Sequence, residues 1–156
     1  MYSNNLICKI LIYIDENIKN KITIEDLENK FFYNRYYIMK LFKKEIGLTI
    51  IEYINSIRIY KSILLIKNDD TNFINIAFES GFYSLEYFSE TFKKITNLNP
   101  KKFKDYFLHK NSISLNDIEQ INNSIIRLFE VTNLKSNYLS KQRPTTSPVK
   151  KLTIFK

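Results

Sequence analysis

Residues 24–53 can be laid on residues 74–103 at a constant offset of 50, with no gap. Eight of the thirty pairs are identical: Ile24/Ile74, Phe32/Phe82, Tyr33/Tyr83, Tyr37/Tyr87, the run Phe42-Lys43-Lys44 against Phe92-Lys93-Lys94, and Leu48/Leu98. Pairs such as Ile38/Phe88 keep an apolar residue. An internal repeat of this kind means that one supersecondary unit is built twice. Composition tempers the count, because Ile, Lys, Asn, Phe and Tyr make up 86 of the 156 residues, and some matches in so biased a chain arise by chance. The unbroken register is what carries the repeat.

With 2 Gly and 3 Pro the chain favours helices. Ile7, Ile10, Leu11, Ile14 and Ile18 recur at helical spacing, which predicts an amphipathic helix over about 5–18. Thr23 and Asp26 resemble a capping box that opens a short helix over about 24–31. Asn34 can cap a third helix that Gly47 ends in a left-handed conformation. Thr49 and Glu52 form a second capping box, opening a long helix over about 49–67 with apolar positions 50, 54, 57, 64 and 65. Asn68-Asp69-Asp70 breaks it. Helices follow over about 72–79 and 84–96, with Ser84 as N-cap and Asn97 as left-handed stop. Asn99-Pro100 opens one more, to about 108. Residues 114–130 read as a helix with Leu115, Ile118, Ile121, Ile125, Leu128 and Phe129 on one side. From Val131 the periodicity fades, and Arg143 to Pro148 reads as a disordered tail.

Each copy of the repeat is thus a short helix, a turn and a longer helix. This is helix-turn-helix geometry, in which the second helix can enter a DNA major groove. That helix must hide one face, here Ile38, Leu41 and Phe42 in the first copy and Phe88 and Phe92 in the second. Gly81 suits the tight turn. A helix over 49–67 spans roughly 28 Å at 1.5 Å per residue, close to one DNA turn of roughly 34 Å. The expected fold is all-α: two such subdomains joined by a long linker helix, about seven helices, then an extension with one helix and a flexible tail. The expected division is 1–110 and 111–156.

Other chemistries are excluded by what is scarce. Cys8 and His109 stand alone, so neither a zinc site nor a Cys–His dyad can form. Gly47 and Gly81 cannot supply a phosphate-cradling loop. No enzyme, metal or cofactor is expected. No apolar run reaches the roughly 18 residues of a membrane span, and no leader peptide is evident, so a cytoplasmic protein is expected. The net charge of +8 fits a nucleic-acid partner, or else lysine drift in an AT-rich genome, since Lys outnumbers Arg 20 to 4.

The second copy carries Ile76-Ala77-Phe-Glu-Ser-Gly81-Phe82, then Tyr87-Phe88-Ser89, Phe92-Lys93-Lys94, Asn99-Pro100 and Phe103-Lys104. With Arg58-Ile-Tyr-Lys61-Ser-Ile-Leu64-Leu65 and Ile38-Met-Lys40-Leu-Phe42-Lys43-Lys44, the chain resembles the DNA-binding domain of the AraC/XylS transcription regulators over about residues 5–108. It resembles the short members that lack an N-terminal effector domain. Two departures stand out: Glu90 replaces a usual basic residue, and Asn97 a common Gly. The resemblance implies a sequence-specific double-stranded DNA-binding regulator, an activator contacting RNA polymerase, whose helices over about 34–46 and 84–96 read adjacent major grooves.

It also implies which residues touch DNA. In the first copy these are Asn34, Arg35, Tyr36, Met39 and Lys40, with Lys43 and Lys44 near phosphate. In the second they are Ser84, Leu85, Glu86, Ser89, Glu90 and Lys93. Arg35 and Lys40 can donate to guanine, and Glu can accept from cytosine N4. Asn34 is either a contact or only an N-cap, and Lys43 and Lys44 are either phosphate ligands or solvated surface. Tyr37 and Tyr87 face the turn and read as core. Cys8 also reads as core. Arg58 reads as a salt-bridge tie between helices, or as a phosphate ligand. Charge is uneven: +4 over 1–67, zero over 68–110 and +4 over 111–156. The alternative is a protein-interaction module modulating a related regulator. The two glutamates favour it, as does the apolar face of the helix over 114–130, which either packs onto the core or serves a homodimer or such a regulator through 111–130.

Overall fold

The computed structural model describes residues 2–66, 72–109 and 115–141. Among them all regular structure is helical: α1 (Tyr2–Glu16), α2 (Ile24–Phe31), α3 (Arg35–Ile46), α4 (Ile50–Ile66), α5 (Phe73–Glu79), α6 (Leu85–Thr96), α7 (Pro100–His109) and α8 (Leu115–Lys141). The expected break at 68–70 and the tail from Arg143 lie outside the described residues.

The helix starts follow from their caps. Thr23 Oγ1 accepts from the Asp26 amide at 3.1 Å, and the Asp26 carboxylate accepts from the Thr23 amide at 2.7 Å. The Thr23 hydroxyl also donates to that carboxylate at 2.7 Å, and it and the Thr23 amide hold the Asp26 carboxyl below the usual aspartate range. The same box recurs at Thr49 and Glu52, with bonds of 3.2 and 2.8 Å. Asn34, Asn72, Ser84 and Asn99 each accept an amide of the following first turn at 2.8–3.1 Å. Gly47 (φ 83°) and Asn97 (φ 62°) end α3 and α6 in the left-handed region.

Two cores form, one per unit. The first gathers Leu6, Ile7, Ile10, Leu11 and Ile14 of α1 with Leu27, Ile38, Leu41 and Phe42. The second is aromatic: Phe82, Phe88, Phe92 and Phe103 run in edge-to-face contact at 5.3, 5.6 and 5.1 Å between ring centroids. Such pairs add roughly 0.5–1.5 kcal/mol each beyond area burial. The linker α4 serves both cores. Ile50, Tyr53, Ile54 and Ile57 enter the first, and Ile59, Ile63 and Ile66 the second. Leu64, expected on the buried side, is 49% exposed, because the face that meets the second unit is set by 59, 63 and 66.

The offset of 50 holds for the second helix of each unit and for the start of the helix that follows it, and fails for the first helix. The caps Asn34 and Ser84 and the stops Gly47 and Asn97 are 50 apart, but the caps Thr23 and Asn72 are 49 apart. The left-handed turn residues Phe32 (φ 59°) and Gly81 (φ 96°) are also 49 apart. The second turn therefore carries one extra residue. Ile24/Ile74 and Phe32/Phe82 are not structural equivalents: Phe32 is 92% exposed and Phe82 is 1% exposed.

The extension is longer than its sequence suggests. α8 runs on to Lys141, past the expected end near 130. Ile121 and Leu128 enter the second core, with Ile125 beside them. Val131, Leu134 and Tyr138 pack against the first core, again at helical spacing. Lys135 pairs with Asp15 of α1 at 2.8 Å. α8 thus spans both units; of the apolar side read over 114–130, Ile121 and Leu128 are buried and Ile125 half-buried, whereas Phe129 is 55% exposed.

Candidate nucleic-acid interface

In both units the second helix is 12 residues long and buries one side. Ile38, Phe42, Phe88 and Phe92 are fully buried, and Leu41 nearly so. The opposite side of α3 is open. Asn34, Arg35, Tyr36, Met39, Lys40, Lys43 and Lys44 are all exposed. Lys40 lies centrally on that side, lining one groove with Tyr36, Met39 and Lys43 and a second with Tyr37 and Lys44. On α6 Glu86, Glu90 and Lys93 are exposed, whereas Ser84, Leu85 and Ser89 are half-buried. Leu85 is partly spent on the second core.

Several side chains already have partners. Asn34 and Ser84 hold their helix starts, which satisfies the capping reading without removing either from the surface. Arg35 is engaged by Glu28 of α2: its Nε and Nη2 donate to the carboxylate at 3.0 and 2.9 Å. Lys43 pairs with Glu52 at 3.5 Å across an exposed gap, a contact of small energetic weight. Glu28 gave no sign in the sequence, because it lies seven residues before Arg35 on a different helix.

Tyr37 and Tyr87 are not core, each being 45% exposed. Tyr37 stacks on Tyr33 at 5.5 Å, and the Tyr87 hydroxyl accepts from Asn55 Nδ2 of α4 at 2.9 Å. The two matched tyrosines lie over the turn and the linker and leave the interior to their apolar neighbours. Cys8 is half-buried, and burial raises its thiol pKa.

Arg58 departs from both expectations. It is buried, donating from Nε to the Ile18 carbonyl at 3.1 Å and from Nη2 to the Asn20 carbonyl at 2.8 Å. Its guanidinium also lies over the Phe82 ring, 5.9 Å from the centroid. Burial draws its pKa below the ordinary arginine value, partly opposed by Tyr83 and Tyr87. The tie runs through backbone carbonyls and joins the segment between α1 and α2 of the first unit to the second unit's turn. Gly81 completes this junction. A Cβ there would collide with the Ile18 carbonyl oxygen and lie 3.0 Å from Arg58 Nε. The glycine serves this close approach between units. The Tyr83 hydroxyl donates to the Lys19 carbonyl at 3.3 Å.

Two capped helices with free outer faces, fixed on one scaffold, define a double helix-turn-helix DNA-binding domain. Residues 27–106, just over half the chain, match the family described as helix-turn-helix domain. The Tn10 TetD protein of Escherichia coli is 27% identical over 103 residues, 66% of this chain and 75% of that protein. The HTH-type transcriptional activator AarP of Providencia stuartii is 24% identical over 103 residues, 66% of this chain and 76% of its own length. Other relatives are longer, and the chain spans 36–40% of them. Among solved structures, the C-terminal domain of the response regulator yesN from Fusobacterium nucleatum superposes with a TM-score of 0.58 and 28% identity, over 61% of this chain and 93% of that one. The chain belongs to the AraC-type helix-turn-helix family of bacterial transcription regulators. The family match ends at residue 106, within α7, so α8 lies beyond it. Among the described residues no helix is long and apolar enough to cross a membrane, and no group of three His, Cys, Asp or Glu could hold a metal.

Proposed function

We propose that the chain regulates transcription by laying α3 and α6 in adjacent major grooves on one face of a DNA duplex. The observation that carries this reading is the junction between the units. Arg58, Gly81, α4 and α8 join two outward-facing helices into one body. Linked rigidly, two weak readers act as one strong one. α4 is 17 residues long, about 25 Å at 1.5 Å per residue, a span suited to successive grooves.

Lys40 is the principal base reader of α3, with Asn34, Tyr36 and Met39 around it and Lys43 and Lys44 toward phosphate. On α6, Glu86 and Glu90 meet the groove with Ser89 and Leu85, and Lys93 faces phosphate. Glutamate beside phosphate is repelled unless it finds a cytosine N4 donor, so the second contact is the weaker. Its role is to set register. α8 acts as the brace, absent from the family match, that fixes the angle between the two readers.

We further propose that the protein works in the cytoplasm, without catalytic chemistry, as an activator touching RNA polymerase. The activator named among its relatives supports that role. A dimer or regulator contact through 111–130 has less to build on, because Ile121 and Leu128 are buried at home. Selection from a random duplex pool tests the reading. Enrichment of two half-sites about one turn apart is expected, and failure to enrich any duplex would refute it.

A further inference from the structure

The outer face of α3 limits which bases it can read. Arg35 is the side chain best shaped to fork onto guanine O6 and N7. Glu28 holds one edge of that guanidinium, its Oε2 accepting from Nε at 3.0 Å and from Nη2 at 2.9 Å. The same carboxylate also accepts from the Arg35 backbone amide at 3.1 Å. An exposed ion pair alone would be weak. Here, turning Arg35 toward DNA would also loosen the link that ties α2 to the start of α3.

Tyr36 and Met39 remain, one turn apart and 75% and 49% exposed, with Lys40 next to them. They line a groove of about 770 Å³ whose other walls include Ile22, Ile24 and Ile51. A thioether has no donor with which to select a base edge. What Tyr36 and Met39 offer jointly is apolar surface, and thymine alone presents a methyl group in the major groove.

We infer that the first reading helix selects thymine methyl groups through Tyr36 and Met39, and that Arg35 is a positioning residue and no guanine reader. This rests on the DNA-binding function proposed above. It assigns the first half-site a thymine-rich edge with room for one guanine, under Lys40.

Deoxyuridine tests it, since it pairs as thymidine does and lacks only the C5 methyl. On an enriched duplex, replacing thymidines one at a time in the first half-site should weaken wild-type binding roughly fourfold at one or two positions. Tyr36→Ala and Met39→Ala should each bind more weakly, and each should lose sensitivity at one of those positions. Such coupling separates a direct contact from a general loss of affinity. Arg35→Gln should weaken all duplexes alike and leave the selected motif unchanged. Equal binding to every deoxyuridine duplex overturns the inference, as does a guanine preference that Arg35→Gln abolishes. Both outcomes leave the DNA-binding function standing. A chain that enriches no duplex at all would remove that function and this inference with it.

Discussion

Both units open their outer helix with a side-chain cap and run it for 12 residues, yet they differ where the chain turns. The second turn uses Gly81 in the left-handed region and presses it against the first unit's backbone. The first turn uses Phe32 in a similar conformation, with its ring almost wholly in water. A left-handed conformation costs an ordinary L-residue roughly 1–2 kcal/mol, and glycine almost nothing. The glycine is required where two units meet, and the strained residue is tolerated where nothing approaches. Their outer faces diverge as well. α3 shows an apolar pair with lysines, and α6 shows two glutamates. On the function proposed above, one scaffold carries a reader and a weaker, register-setting partner.

The largest effect should come from Gly81→Ala. A strained φ together with the collision at Ile18 predicts a loss of at least about 2–4 kcal/mol in chemical denaturation. The converse change, Phe32→Gly, should stabilise by up to about 1 kcal/mol. Equal effects at 32 and 81 would dissolve the contrast between the turns.

Next in size is the asymmetry of the readers. Lys40→Ala should cost about 1–3 kcal/mol at the selected site. Glu90→Ala should leave binding there nearly unchanged, or improve it on random duplex as a repelled charge is removed. Titrations at several salt concentrations measure both. A larger loss at Glu90 than at Lys40 would reverse the assignment.

A smaller effect concerns Ser80, which follows α5 where Phe31 ends α2 in the first unit. Its Oγ is buried and has no hydrogen-bond partner among the described residues. An unmet buried hydroxyl is costly, so Ser80→Ala should raise stability by about 1 kcal/mol. No rise in the denaturation midpoint would mean the hydroxyl is satisfied in solution.

The smallest effect is acid sensitivity. Capping hydrogen bonds hold Asp26 and Glu52 below their usual pKa values. A carboxyl with a depressed folded pKa stabilises above its unfolded value and loses that contribution as pH falls through the folded one. Stability should therefore decline as pH drops below the ordinary carboxylate range. Asp26→Asn should flatten part of that decline, and an unchanged acid profile would contradict the capping account.

Much of this was legible from local chemistry. Thr23, Asn34, Thr49, Ser84 and Asn99 mark helix starts because a cap acts within one turn, and Gly47 and Asn97 mark ends for the same reason. The offset misled at the first helix because Ile24 and Ile74 match in letter while the turn between the helices gained a residue. The far half of α8 was missed although Val131, Leu134 and Tyr138 keep helical spacing, because the Thr and Asn residues between them weaken the local signal. The partners of Arg58 and Arg35 were not legible. Backbone carbonyls leave no mark in a sequence, and Glu28 meets Arg35 only after two helices have folded together.

A hydroxyl-radical footprint on the selected duplex tests the central claim most directly. Two units held as one body should protect two tracts on one face of the DNA, about 10 base pairs apart. The tract under α3 should persist at higher salt than the tract under α6. A single protected tract, or two whose separation varies freely from duplex to duplex, would contradict the account.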